Sequence, residues 1–157
     1  MRTGFGYDLH RLEEGKRLLL AGVHVPYHKG CVAHSDGDVL LHALIDALFG
    51  AAALGDIGQH FPPGDEQYLN TDSLLLLKAC MSELKSSNYK LVNVDATVVL
   101  QKPKILPYVL QMRQNLAEHL GLPIESVSVK GKTKEYVDAV GRNEAVEAFV
   151  SVLIEKT

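Results

Sequence analysis

The chain has 157 residues, 46% hydrophobic and 22% charged, and its 16 basic against 19 acidic side chains leave a net charge of -3. At about 150 residues per domain that is one domain, 1–157, with enough apolar content for a core without disulfide or metal staples. Binding nucleic acid by phosphate neutralisation needs a basic excess that is missing here, so no nucleic-acid partner is expected. The longest apolar run, Val39 to Phe49, is broken by His42 and Asp46 and is too short to span a bilayer, so no membrane partner is expected either. The opening MRTGFGYDLH lacks the basic-then-apolar build of a signal peptide. Cys31 and Cys80 have no metal-finger spacing and read as reduced thiols of a cytoplasmic protein.

In chain order, Thr3 to His10 alternates and predicts a strand, with Phe5, Tyr7 and Leu9 on one face and Gly4, Gly6, Asp8 and His10 on the other. Arg17 to Val25 predicts a second, returning strand. His34 to Ala53 predicts a helix opened by a capping box of Ser35 and Asp38. It is apolar nearly all round, so His42 and Asp46, one turn apart, are expected in a packed or semi-enclosed place. Thr71 to Leu84 predicts a second helix capped by Thr71 or Asp72. Val92 to Leu100 alternates as a half-buried strand. Leu106 to Leu120 predicts a third helix, with Pro107 in its first turn and Gly121 as its stop. Ser126 to Lys130 is a short strand. Glu144 to Ile154 puts Val146, Ala148, Val150, Val152 and Ile154 on one face. Its other face is less polar than a solvated sheet surface should be, which predicts cover by another subunit. The elements add up to an α+β fold: a mixed sheet of four strands with helices packed on one face.

Asp8 and His10, two apart on a strand, share a face and can grip one ion together, and His42 can complete a set of two nitrogens and one oxygen. Three protein ligands leave a fourth tetrahedral position open, the mark of a catalytic zinc, and imidazole with carboxylate suits zinc better than magnesium. The competing account is a hydrogen-bonded core histidine beside a chance Asp-x-His. His34-Ser35-Asp36-Gly37-Asp38 lies at a helix start, where free amides attract anions, although plain capping needs only Ser35 or Asp36. Lys130 to Glu135 offers a phosphate grip in Lys132 and Thr133 and a hard-cation ligand in Glu135, where the bland account is a solvated turn.

Gly6-Tyr7-Asp8-Leu9-His10, His34-Ser35-Asp36-Gly37-Asp38-Val39 with His42 and Asp46, and Gly55-Asp56-Ile57-Gly58 with Phe61-Pro62 closely resemble the 2-C-methyl-D-erythritol 2,4-cyclodiphosphate synthase family of non-mevalonate isoprenoid biosynthesis. Asp72-Ser73, Gln101-Lys102-Pro103-Lys104, Lys130, Thr133, Glu135 and Gly141-Arg142 with Glu144 extend the match along nearly the whole chain. The resemblance implies a homotrimer, cytoplasmic or in an organelle stroma, with the outer sheet face in its interface and active sites between subunits. It implies a phosphorus-oxygen lyase that cyclises 4-diphosphocytidyl-2-C-methyl-D-erythritol 2-phosphate and releases CMP. Zinc would be held by Asp8, His10 and His42, of which Asp8 and His10 also meet substrate. Magnesium or manganese would be held through Glu135. His34, Ser35, Asp36, Asp56, Ile57, Gly58 and Phe61 would meet the erythritol and its phosphate. Leu100, Lys104, Ile105 and Leu106, with Gly131, Lys132 and Thr133 of a neighbour, would meet the cytidine diphosphate, and Arg142 completes the binding set. His34, Thr133 and Glu135 would be catalytic. Asp46 is expected to orient His42 or simply to be a buried, hydrogen-bonded carboxylate.

The chain departs from the family pattern in Lys132-Thr133-Lys134-Glu135, where a threonine-rich run is usual. It also departs at Pro63, where an acid is common, and at Ala139, Asn143 and Ala145, around the family's threefold channel. Alternatives are a zinc-dependent phosphate-ester hydrolase with His34 or Asp46 as base, a non-enzymatic isoprenoid-diphosphate-binding trimer, and an ordinary α+β domain with core histidines.

Overall fold

The structure, a computed structural model, describes residues 1–157. A long first strand, β1 (Arg2–Glu14), is followed by the two-residue strands β2 (Leu19–Leu20) and β3 (Val23–His24) and by β4 (Lys29–Cys31). Then come α1 (Val39–Ala52), a single turn α2 (Ile57–His60), α3 (Ser73–Ser86), β5 (Tyr89–Val99) and α4 (Val109–Leu120). β6 (Val127–Lys132), the short α5 (Asp138–Gly141) and β7 (Ala145–Lys156) complete the chain.

The main sheet has five strands in the order β4-β1-β7-β5-β6, not the four expected. The extra edge strand β4 pairs through only three residue couples with the end of β1, too short a stretch to leave a periodic signal. β5 and β6 run parallel and every other pairing is antiparallel, so the sheet is mixed as expected. The parallel pair needs a crossover, and α4 supplies it.

β7 lies at the centre, and its inner residues Val146, Ala148, Val150, Val152 and Ile154 are buried beneath the helices. α1 is enclosed on all sides apart from Asp46 and Gly50, which is why its sequence is apolar almost throughout. Its buried side chains belong to a core that extends through α3, α4 and the inner sheet face.

Three boundaries differ from expectation for identifiable reasons. Arg17 to Val25 is a hairpin instead of one strand, because Ala21 and Gly22 both take positive φ (55° and 72°), as two-residue primed turns require. α1 begins at Val39 with Asp38 as its cap, not with Ser35: Gly37 sits at φ 77° and breaks any earlier turn. α3, by contrast, begins as expected after Asp72, one of the two candidate caps, whose carboxylate accepts from the Leu74 N–H. The expected third helix opens as a 3-10 turn over Leu106–Tyr108, and Gly121 stops α4 at φ 65°.

Candidate metal centre and active site

The site is built by the way α1 lies on β1. Gly4 and Gly6 face the helix, and a Cβ at either would collide with the backbone carbonyl of Ala47 or Ala43. A strand without side chains thus meets a helix stripe of alanines at near backbone contact. Because side chains alternate along a strand, Asp8 and His10 fall on the same helix-facing side further along β1. There they meet His42 in the first turn of α1.

The three side chains converge on one point. His10 Nε2 lies 3.0 Å from Asp8 Oδ2, His42 Nδ1 lies 3.1 Å from the same oxygen, and the two ring nitrogens are 3.0 Å apart. A tetrahedral cation with bonds of about 2.0–2.1 Å holds its ligand atoms roughly 3.3 Å apart, close to this triangle. Two imidazoles and a carboxylate are also a donor set suited to zinc, so the residues present fit the metal expected from the sequence.

A relay behind His42 fixes its tautomer. The hydroxyl and the N–H of Ser73, at the start of α3, both donate to Asp36. With its only proton given to Asp36, the Ser73 oxygen accepts from His42 Nε2–H at 2.9 Å. Ser35 Oγ also lies 3.0 Å from Nε2. In the neutral ring the proton therefore sits on Nε2 and Nδ1 is free to offer a lone pair to a metal; in the metal-free protein a second proton on Nδ1 is donated to Asp8. Burial alone raises the pKa of Asp8, but hydrogen bonds from His10 and His42 outweigh it and bring the carboxyl down to about 2. Burial alone lowers His42, and the adjacent Asp8 outweighs that and raises it.

Asp46 does not reach His42. Its carboxylate, half-buried and not fully buried as expected, accepts from the Ile57 N–H at 2.7 Å, the hydrogen-bonded of the two roles expected for it. In that role it pins the strip from Asp56 to Gly58 beside the metal triangle. Asp38 is wholly buried and accepts from Leu41, Ala21 and Gly22, tying the hairpin to the helix start.

The remaining candidate residues divide between two places. His10, His34, Ser35, His42, Ile57, Gly58 and Phe61 line one pocket of about 230 Å³, together with Pro63 and Tyr68. Asp36 faces Ser73 instead of this pocket, and the exposed Asp56 caps α2 through Gln59. Leu100, Lys104, Ile105, Leu106, Gly131, Lys132 and Thr133 line a second pocket of about 510 Å³ that shares no residue with the first. Thr133 donates to Glu135, and both line an adjoining hollow with Gln101 and Tyr136. Arg142 lines none of these pockets and instead pairs with Glu144 at 3.1 Å.

Ser73 and the glycine contacts escaped the sequence as functional elements. Ser73 stands 31 positions from His42, and no local spacing connects the two. The available signals are the pair Gly4 and Gly6 on the ligand-bearing face of an otherwise regular strand and, for Ser73, the Asp72-Ser73 match, which carries no role.

A family model described as the YgbB family matches residues 1–155. The 2-C-methyl-D-erythritol 2,4-cyclodiphosphate synthase of Syntrophomonas wolfei is 53% identical over 156 residues, covering 99% of this chain and 99% of that one. The bifunctional IspDF from Campylobacter jejuni superposes with a TM-score of 0.96 at 39% identity over 99% of this chain, which spans 42% of that longer chain. A 2C-methyl-D-erythritol-2,4-cyclodiphosphate synthase in a CDP-bound form gives a TM-score of 0.91 at 36% identity, over 98% of this chain and 100% of that one. Matched along nearly its full length in sequence and in fold, the chain belongs to the YgbB family, that of the 2-C-methyl-D-erythritol 2,4-cyclodiphosphate synthases.

Proposed function

We propose that the chain converts 4-diphosphocytidyl-2-C-methyl-D-erythritol 2-phosphate to 2-C-methyl-D-erythritol 2,4-cyclodiphosphate with release of CMP. The observation that carries this reading is the convergence of Asp8, His10 and His42 beside a pocket also lined by His34 and Ser35. The 2-phosphate oxygen forms a bond to the β-phosphorus, and the bond from that phosphorus to CMP breaks with its electron pair leaving on CMP. The nucleophile is already an anion, so no general base is needed. The protein's work is to hold two repelling phosphates in line.

Asp8, His10 and His42 would hold zinc, and Glu135 would hold magnesium or manganese. When bound, these cations draw charge from the phosphoryl oxygens. His34 and Ser35 orient the 2-phosphate, alongside the strip that Asp46 pins at Ile57. Phe61 gives the erythritol carbons an apolar wall. Lys132 and Thr133 grip the diphosphate, and the cleft of Leu100, Lys104, Ile105 and Leu106 receives the cytidine. That a relative's structure is described as a CDP-bound form supports this last assignment.

A homotrimer with active sites between subunits completes the reading. One chain carries two half-sites with no shared residue, as a site assembled between neighbours requires. The sheet face turned from the helices leaves Phe5 67% exposed and Leu9 47% exposed, with Tyr7 against Phe149 at 5.0 Å. An apolar face of this kind calls for a subunit to cover it. No helix is long and apolar enough to cross a membrane. The polar substrate and the bacterial relatives support action in the cytoplasm.

The test is turnover of that substrate by zinc-loaded protein in water enriched in heavy oxygen. Expected are CMP and a cyclic diphosphate, both without solvent oxygen. Labelled linear phosphates would mean hydrolysis and would refute the reading.

A further inference from the structure

The segment from Thr133 to Asp138 is held in a form that its own sequence does not favour. Glu135, Tyr136 and Asp138 all adopt positive φ (49°, 63° and 60°), and none is glycine. Side-chain-bearing residues hold such backbone only when the surroundings impose it, and the surroundings here are specific. The side-chain oxygen of buried Gln101 accepts from the Tyr136 N–H at 3.1 Å. Gly141 packs so closely under Tyr136 that a Cβ there would strike its backbone. Lys134 is the third fastening. Its Nζ lies 3.2 Å from Asp138 Oδ2 within the turn and 3.3 Å from Glu147 Oε2 on the sheet.

Glu147 is out of place on its strand. Its side chain is only 12% exposed, on the sheet face where Tyr7 and Phe149 pack together, and its Oε2 has no hydrogen-bond partner, so the Lys134 ammonium at 3.3 Å is the charge that faces it. A carboxylate that far out of water needs its counter-charge. So paired, Lys134 lines neither the pocket of Lys132 and Thr133 nor the adjoining hollow of Thr133 and Glu135. Lys134 is therefore committed to the sheet and not to a phosphate, although a lysine in this run invites the opposite reading.

We infer that Lys134, bridging Glu147 of β7 and Asp138 of the turn, is a positioning residue that aims Thr133 and Glu135 at the substrate diphosphate. The inference rests on the proposed reaction, so wild-type turnover is measured first. If wild type releases no CMP, that reading fails before the pair is tested.

With wild type active, Glu147→Gln and Lys134→Ala are each expected to lower kcat about tenfold or more, since misplacement of about an ångström is enough for losses of that size. KM is expected to stay within about threefold, and half-maximal activation to need about ten times more magnesium, because the aim of Glu135 is what is lost. Lys134→Arg keeps both ion pairs and is expected to stay near wild type. A control that removes the remote surface pair Lys90–Glu155 (3.0 Å) is expected to change nothing. If Lys134 instead gripped phosphate itself, Glu147→Gln would free it and leave kcat unchanged or raised, and that result overturns the inference. Equal slowing by Lys134→Arg and Lys134→Ala also overturns it. So does a loss of kcat in Glu147→Gln matched by lost assembly and lost zinc content, which would make the pair merely structural.

Discussion

Asp8 and His42 decide when a cation can enter the metal triangle. A ligand must offer a lone pair, so each bound proton competes with the metal. Asp8 poses no barrier, since its carboxyl is held near 2 and is ionised throughout the physiological range. His42 is the competitor: its pKa is raised, against the cost of its burial, by the same Asp8 that would share the metal. In the metal-free protein the signs follow from these shifts. The raised His42 contributes stability that is complete below its unfolded pKa and is lost as pH rises through its folded one. The depressed Asp8 contributes stability that is present above its unfolded pKa and is lost as pH falls toward 2. Metal binding therefore releases a proton from His42 and weakens as pH falls. Chelator-competition titrations of zinc are expected to show affinity dropping by about tenfold per pH unit below the raised His42 pKa. The fall is expected to begin above about pH 6.5, the ordinary histidine value. An affinity flat from pH 7.5 to 5.5 would remove His42 from the ligand set.

The unit that delivers these ligands is the pair β1 and α1, fastened backbone to backbone at Gly4 and Gly6. Gly6→Ala drives a methyl into the Ala43 carbonyl, which belongs to the helix backbone and has no rotamer by which to yield. The helix must shift, and His42 shifts with it. The expected outcome is a loss of about 3 kcal/mol in denaturant unfolding at fixed protein concentration, with a matching loss of zinc affinity. Gly50→Ala is the comparison, since nothing lies within reach of a Cβ there. The same pair shows what a sequence can and cannot disclose. Alternation along β1 places Asp8 and His10 on one face without any structure, and an all-apolar helix marks His42 as enclosed. Contacts between distant segments leave no such period. The chain alone does not tell that Ser73 orients His42, that Asp46 turns to Ile57, or that Glu147 of the sheet captures Lys134. The helix start departs from its expected place for a related reason. Ser35 has the right chemistry for a cap, but the structure engages it with His42 and leaves the capping to Asp38, which the hairpin also needs. β4 leaves no pattern, and the hairpin of β2 and β3 reads as one strand, because strands of two or three residues are shorter than the period that would reveal them.

At the scale of the whole molecule, the division into two half-sites makes the proposed trimer testable through its chemistry. The metal triangle and the pocket of His34 and Ser35 come from one part of the chain, and Lys132, Thr133 and Glu135 come from another. If one subunit gives the first half and its neighbour the second, a defect in one half leaves the other half of that subunit serviceable. His42→Ala spoils only metal halves, and Glu135→Gln spoils only cation halves. Each variant alone is expected to be nearly inactive. Co-expressed in equal amounts and assembled at random, they place an intact metal half beside an intact cation half in roughly a quarter of sites, because each half is sound with a chance of about one in two. Turnover of the mixture is therefore expected near a quarter of wild type, with KM unchanged, since the restored sites contain no substitution. A site contained within one subunit predicts the opposite, because every subunit then carries one defect and no mixing repairs it. Activity of the co-expressed pair no higher than the mean of the two separate variants would place the whole reaction inside a single chain.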